Sequence, residues 1–219
     1  YRISRGSWTV SFLLENFNEK FGPKLDEIIY VTANPYVSML LKGKFYRIIP
    51  VWDFGWDESL KTVPPDHVYE ATLEVVRKYQ KKRIIIHFMQ PHYPFLELKL
   101  TYKPRGIKDL LKTGKMSKEE VIEAYRKNLR LVMPYLKKLI RILEGKIVMT
   151  SDHGEALGEK LHPLIPKRVY SHSYAWIRIK FLVKVPSFIT EGKDDLKFLE
   201  SELIRLKTRE IKTKLKVKM

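Results

Sequence analysis

Cysteine is absent from the 219 residues, which excludes disulfides and thiolate metal sites and is neutral about compartment. Glutamine occurs only at Gln80 and Gln90, and asparagine is also scarce. No apolar run approaches the ~18 residues of a membrane span. No signal-peptide pattern is visible, so the expectation is a cytoplasmic protein without a transmembrane segment. Acid is in short supply too: 25 Asp and Glu face 42 Lys and Arg, a formal net charge of +17. Such a balance attracts anions, whether phosphate or sulfate esters, nucleic acid or an acidic membrane surface. Abundant charge with few amides and no cysteine is also the composition of a heat-adapted protein. Heat adaptation accounts for the amount of charge but not for its sign, so an anionic partner is expected.

What is present is enough apolar material for one domain with a substantial core, 44% hydrophobic and 12% aromatic. Ser7 to Phe17 reads as a helix with Phe12, Leu13 and Phe17 at helical spacing and Ser7 or Thr9 as cap. Ile28 to Thr32 reads as a strand closed by a turn at Asn34-Pro35, and Phe45 to Trp52 as a second strand. Pro64-Pro65-Asp66 opens a helix whose Val68, Ala71, Thr72, Val75, Val76 and Tyr79 form one apolar stripe. Ile84 to Ile86 is a buried strand leading to His87 and His92. Tyr93 to Lys115 reads as a long surface loop. Ser117 and Glu120 fit a capping box ahead of a long helix that Pro134 bends or interrupts before Gly145 stops it. Ile147-Val148-Met149 predicts a fully buried strand, then a loop carrying His162, then a strand over Trp176 to Phe181 or a short helix before Val183. A last helix begins near Asp194, and residues 205–219 form a basic tail. The alternation of strand and helix argues for an α/β fold with a largely parallel sheet.

The chemistry concentrates where the Ile147 strand ends. Asp152 and His153 sit side by side there, and ligands of open α/β sheets gather past the carboxyl ends of strands. Carboxylate plus imidazole suits Zn, Mn or Fe. Gly154, which tolerates φ > 0, suits a sharp turn there. The competing reading is an ordinary polar turn with a solvated histidine. His92, flanked by Pro91 and Pro94, has the restricted backbone of an imidazole that must be aimed; otherwise it is a turn histidine packed on Tyr93 and Phe95. His87, on the strand itself, is expected to be buried and hydrogen-bonded.

Thr150-Ser151-Asp152-His153-Gly154-Glu155, with Gly158-Glu159 following, resembles the carboxy-terminal metal motif of the sulfatase branch of the alkaline phosphatase superfamily. His87 to Phe95 resembles that branch's mid-chain histidine motif, in the family's order. The likeness runs loosely from Ser4 to Pro186 and is nearest to archaeal sulfatase-like proteins. It implies an α/β/α layered sandwich, alkaline-phosphatase-like, in one domain over residues 1–204. It implies a divalent metal (Mn, Zn or Ca) on Asp152, His153 and His172, with His162 as the rival to His172. It implies a Ser or Thr nucleophile at a helix amino end, here Ser7 or Thr9, with Arg5 clamping the anion. His92 would bind an ester oxygen or assist the leaving group. The implied activity is hydrolysis of phosphate or sulfate esters.

Two departures matter. Without cysteine, the formylglycine chemistry of true sulfatases is excluded. The family's first metal-binding acid lies on a strand before the nucleophile, and none stands before Ser4, so the expectation is a chain lacking that strand; Asp53 and Asp57 fall in the wrong place. The alternatives are a phospho-group transferase of the same fold, or a non-catalytic basic protein that binds anions such as nucleic acid.

Overall fold

Alternate residues of the run Ile28–Thr32 face two different cores, and the molecule is assembled around that division. The computed structural model describes residues 1–20, 24–79, 81–98, 104–172 and 178–191, without the side chains of 161, 162 and 165–167. Its elements are β1 (Arg2–Ile3), α1 (Thr9–Asn16), β2 (Ile28–Thr32), α2 (Pro35–Leu41), β3 (Arg47–Pro50), α3 (Val51–Phe54), α4 (Pro65–Lys78), β4 (Arg83–His87), α5 (Ile107–Lys112), α6 (Lys118–Ile142), β5 (Ile147–Thr150), β6 (Ala156–His162), β7 (Ile165–Ser171), α7 (Lys180–Val183), β8 (Lys184–Val185) and β9 (Ser187–Thr190).

β2 is the centre of a parallel sheet ordered β3-β2-β4, with Tyr30 level with Ile48 and Ile85. Period-2 alternation sends Ile29 and Val31 to one face, where Val51, Val68, Ala71 and Val75 of α3 and α4 close over them. Ile28 and Tyr30 go to the other, against Leu13 and Phe17 of the α1 segment, Val37 and Leu41 of α2, and Phe45. Covered on both faces, β2 is buried at every position, which is why its sequence is a continuous apolar run. The three strands end level, Thr32 opposite Pro50 and His87.

The remaining described strands form antiparallel pairs: β1 with β8, β5 with β9, and the hairpin of β6 and β7. The described residues therefore form a mixed α/β structure with one three-stranded parallel sheet, where the sequence predicted a largely parallel one. β5 is not buried throughout, as its apolar run suggested. Paired with β9, it alternates, with Ile147 and Met149 packed on α6 and Val148 exposed.

α4 and α6 form as predicted. At the start of α6 the Ser117 hydroxyl accepts from the Glu120 N–H at 3.2 Å, and the Glu120 carboxylate accepts from the Ser117 N–H at 2.7 Å. The helix continues through Pro134 without interruption. Elsewhere local chemistry overrode the expectation. Asn34-Pro35 does not close a turn but starts α2, the Asn34 side chain accepting from the Tyr36 N–H at 3.0 Å with Pro35 in the first turn. The second strand is shorter than predicted, its end becoming α3. The presumed loop from Tyr93 contains α5, whose Ile107 and Leu110 bury themselves against α6. The presumed loop after Glu159 is the β6–β7 hairpin, bulged at Gly158 (φ +95°). Of the two readings for the segment after Trp176, the described part takes the second: residues 180–183 form the short helix α7. The predicted helix from Asp194 and the tail 205–219 lie outside the described residues.

Candidate functional site

Asp152, His153 and Gly154 leave β5 in a turn held from three sides. The Gly154 N–H donates to the Leu182 carbonyl at 2.6 Å, Ser151 Oγ donates to the His153 carbonyl at 2.6 Å, and Ser4 Oγ donates to the Asp152 carbonyl. Gly154 makes no use of a positive φ. It is required because a Cβ there would collide with the Phe181 carbonyl.

Thr9, the first residue of α1, meets this turn. Its Oγ1 donates to Asp152 Oδ2 at 2.6 Å and lies 3.5 Å from His153 Nε2, and that nitrogen is 3.6 Å from the same Oδ2. The other carboxylate oxygen accepts from the His153 N–H at 3.0 Å. The opening of α1 is secured by Ser11, whose Oγ accepts from the N–H groups of Ser7 and Trp8. Thr9 thus stands at the positive end of a helix, where developing negative charge is favoured.

His153 Nδ1 lies 2.7 Å from the Gly154 carbonyl, which can only accept, so Nδ1 carries a proton and Nε2 is the nitrogen turned to Thr9 and Asp152. Behind Asp152, His87 at the end of β4 places Nε2 4.0 Å from Oδ2. Its Nδ1 faces the Tyr30 hydroxyl at 3.2 Å. Burial, with Asp152 adding to it, pushes the Tyr30 phenol far up, so Tyr30 is the donor there. Burial also lowers the His87 pKa despite Asp152. Burial raises that of Asp152, but His153, His87, the Thr9 hydroxyl and the His153 N–H outweigh it and hold the carboxyl below its ordinary range.

A second group adjoins the first. His92, Glu155 and His172 each offer one ligand atom within 4.8 Å of the others, the one trio of histidine and carboxylate side chains among the described residues that could share a metal ion. The His172 ring centroid is 4.8 Å from that of His153 and 5.3 Å from that of His92. His172 follows β7 through Ser171, whose φ of +57° is the strained left-handed conformation. Its Nδ1 lies 3.7 Å from the buried Glu155 carboxylate. Burial lowers the His172 pKa, but Glu155 and then Asp152 more than restore it, and the net direction is up. His92 goes the other way, held down by burial, with Nδ1 facing the Tyr93 carbonyl.

Of the residues picked out in the sequence, the structure brings Thr9, Asp152, His153, His92 and His172 together. Ser7 is buried just ahead of α1. Arg5 turns its exposed guanidinium to the Glu15 carbonyl, 3.3 Å away and about 9 Å along α1 from Thr9. His162 ends β6 at the hairpin tip, about 20 Å along the strand from Ala156, and its side chain lies outside the described residues. Asp57 caps its own turn, accepting from Ser59 and Leu60. Glu155 was given no role in the sequence, although it directly follows the Asp-His-Gly string. Two grooves, of about 410 and 550 Å³, flank the outer strand β3, and neither is lined by these residues.

Hydroxyl, carboxylate and imidazole are donor types that suit a divalent cation. Two edges of the Thr9 Oγ1, Asp152 Oδ2 and His153 Nε2 triangle, 3.5 and 3.6 Å, are near the roughly 3.4 Å between ligands of tetrahedral zinc. The third, 2.6 Å, is a hydrogen bond that would have to open around an ion. The carboxylate-imidazole trio within reach of a single ion, among the described residues, is His92, Glu155 and His172. Fold and site together define an α/β domain with a hydroxyl, carboxylate and imidazole converging at strand and helix ends. No protein-family model and no curated protein matches the chain. Among solved structures it is similar to the soluble domain of lipooligosaccharide phosphoethanolamine transferase A from Neisseria meningitidis, a domain of alkaline-phosphatase-like fold, with TM-score 0.52 and 17% identity. The match covers 78% of this chain and 52% of that one, so the chain spans about half the length of the domain it matches. The likeness is one of fold. Among the described residues no helix is long and apolar enough to cross a membrane.

Proposed function

We propose that the chain is a metal-dependent phosphoester enzyme of the alkaline phosphatase superfamily that works through Thr9. The observation that carries this is the convergence of Thr9 Oγ1, Asp152 Oδ2 and His153 Nε2 at the amino end of α1. Thr9, Asp152 and His153 would hold a divalent ion, which supplies a lowered pKa for the threonine hydroxyl and positive charge near the phosphorus. The Thr9 hydroxyl, its pKa lowered, loses its proton to water; its oxygen attacks phosphorus, the bond to the leaving alcohol's oxygen breaks, and a phosphothreonine ester forms. His172, whose proton Glu155 favours, donates that proton to the departing oxygen, a role the sequence suggested for His92. His92, neutral under burial and with its Nδ1 proton turned to the Tyr93 carbonyl, accepts from the acceptor's hydroxyl through Nε2. Attack by a second hydroxyl then frees Thr9: water makes the enzyme a hydrolase, an alcohol makes it a transferase. The likeness to a phosphoethanolamine transferase domain supports carrying the transferase reading equally with the hydrolase one.

The test is turnover of an aryl phosphodiester with added Mn or Zn. Thr9→Ala and Asp152→Asn are each expected to lose roughly 1,000-fold or more in kcat, and Thr9→Ser to keep part of it. Wild-type rates in either of the first two would reject the reading. Adding an acceptor alcohol separates the two outcomes, since only a transferase diverts product into a new ester.

A further inference from the structure

The segment from Phe88 to Leu98, which carries His92, has no regular structure of its own among the described residues beyond isolated turns. Pro91 and Pro94 supply no N–H, so its carbonyls have no ladder to join. A single side chain of another element takes up three of them. Asn128 of α6 is 1% exposed, and its Nδ2 donates to the carbonyls of His92 and Pro94 at 3.0 Å each and reaches that of Pro91 at 3.4 Å. Its Oδ1 accepts from the Leu96 N–H at 2.9 Å. The amide orientation is fixed by these partners, because a flipped group would set oxygen against three carbonyls. Asn128 lies in the apolar stripe Val121-Tyr125-Val132 of α6, a polar residue where packing alone would choose leucine. Phe95 is buried beside it against Tyr125.

We infer that Asn128 is a positioning residue: it holds the carbonyls on both sides of His92, so that the imidazole is presented to Glu155, His172 and the substrate. This rests on the reading of His92 as part of the phosphoester site, and the test separates the two. A shift of about 1 Å in a group that orients substrate can cost 10²-fold. His92→Ala and Asn128→Asp, which keeps size but replaces the NH₂ with a carboxylate oxygen facing carbonyls, are each expected to lower kcat by roughly 100-fold. The double variant is expected to be no worse than either single one, because a misplaced His92 and a missing His92 are equivalent. Full activity in His92→Ala would reject the role of His92 and with it the inference. An impaired His92→Ala with an active Asn128→Asp, or losses that multiply in the double variant, would overturn the positioning role alone. Should Asn128→Asp fail to fold, amide exchange in the wild-type protein decides the matter. The Leu96 N–H is expected to exchange as slowly as neighbouring amides in the core of α6, and rapid exchange there would overturn the inference.

Discussion

At the scale of single residues the site is a set of histidines in unlike electrostatic surroundings. His87 is sealed between the Tyr30 hydroxyl and Asp152, and burial holds its pKa down; His172 stands 3.7 Å from the Glu155 carboxylate, which pushes its pKa up. Their effects on stability have opposite signs. Because the folded His87 has a depressed pKa, the unfolded chain binds more protons below about pH 6.5, and folding weakens as pH falls through that value. His172, with its raised folded pKa, contributes stability that is present at low pH and lost as pH rises through the folded value. In metal-free protein the His87 contribution is expected to show as a melting temperature that drops between pH 7 and pH 5. The limiting slope is about 1.4 kcal/mol per pH unit for one excluded proton. His87→Gln should flatten that slope, and a slope identical in wild type and variant would show that His87 does not resist protonation.

At the scale of elements, the site exists because α1 begins where β4 and β5 stop, and the β6–β7 hairpin folds His172 back over them. Gly154 is where this assembly is least tolerant. The carbonyl of Phe181, just inside α7, occupies the space a side chain would need, and the Gly154 N–H is tied to Leu182 in the same segment. Gly154→Ala is therefore expected to destabilise the protein by about 1–3 kcal/mol and to reduce turnover by displacing Asp152 and His153. A denaturant midpoint equal to that of wild type would contradict the close approach. The same elements show what a sequence discloses. β2, α4 and α6 were legible because period and caps agree with burial: an all-apolar run for a strand covered twice, a stripe after Pro64-Pro65, Ser117 paired with Glu120. That Asp152 and His153 stand together past a strand end was legible because a carboxylate and an imidazole fall in one short string after an apolar run. α2 was not, since Asn34-Pro35 is equally good chemistry for a turn and for a helix start. α5 and the hairpin were hidden because few apolar residues mark them, and their stability comes from α6 and from each other. Glu155 and Asn128 required the tertiary structure, because their partners lie 17 and 32 to 37 residues away. A lone asparagine in the stripe of α6 was the signal available for one of them.

For the whole molecule the deciding quantity is charge. A net +17 surrounds a site whose proposed substrate is an anion, and such a field raises the local substrate concentration without altering the chemical step. Salt screens it, since the Debye length falls from about 10 Å at 0.1 M to about 3 Å at 1 M. KM for a phosphodiester is therefore expected to rise severalfold over that range while kcat stays level. The same field would draw in nucleic acid whether or not the protein is an enzyme, so binding to DNA or RNA does not by itself favour the non-catalytic reading. The two are separated by metal. Polyanion binding through net charge is indifferent to chelation and weakens steeply with salt, whereas turnover through Thr9, Asp152 and His153 stops on chelation and returns when Mn or Zn is restored. A chain that binds RNA at low salt but shows no metal-restored turnover of any phosphoester, and in which Asp152→Asn leaves RNA affinity unchanged, would be a basic binding protein built on this fold. Competitive inhibition of turnover by RNA, relieved by salt, is the outcome expected if the charge serves the site.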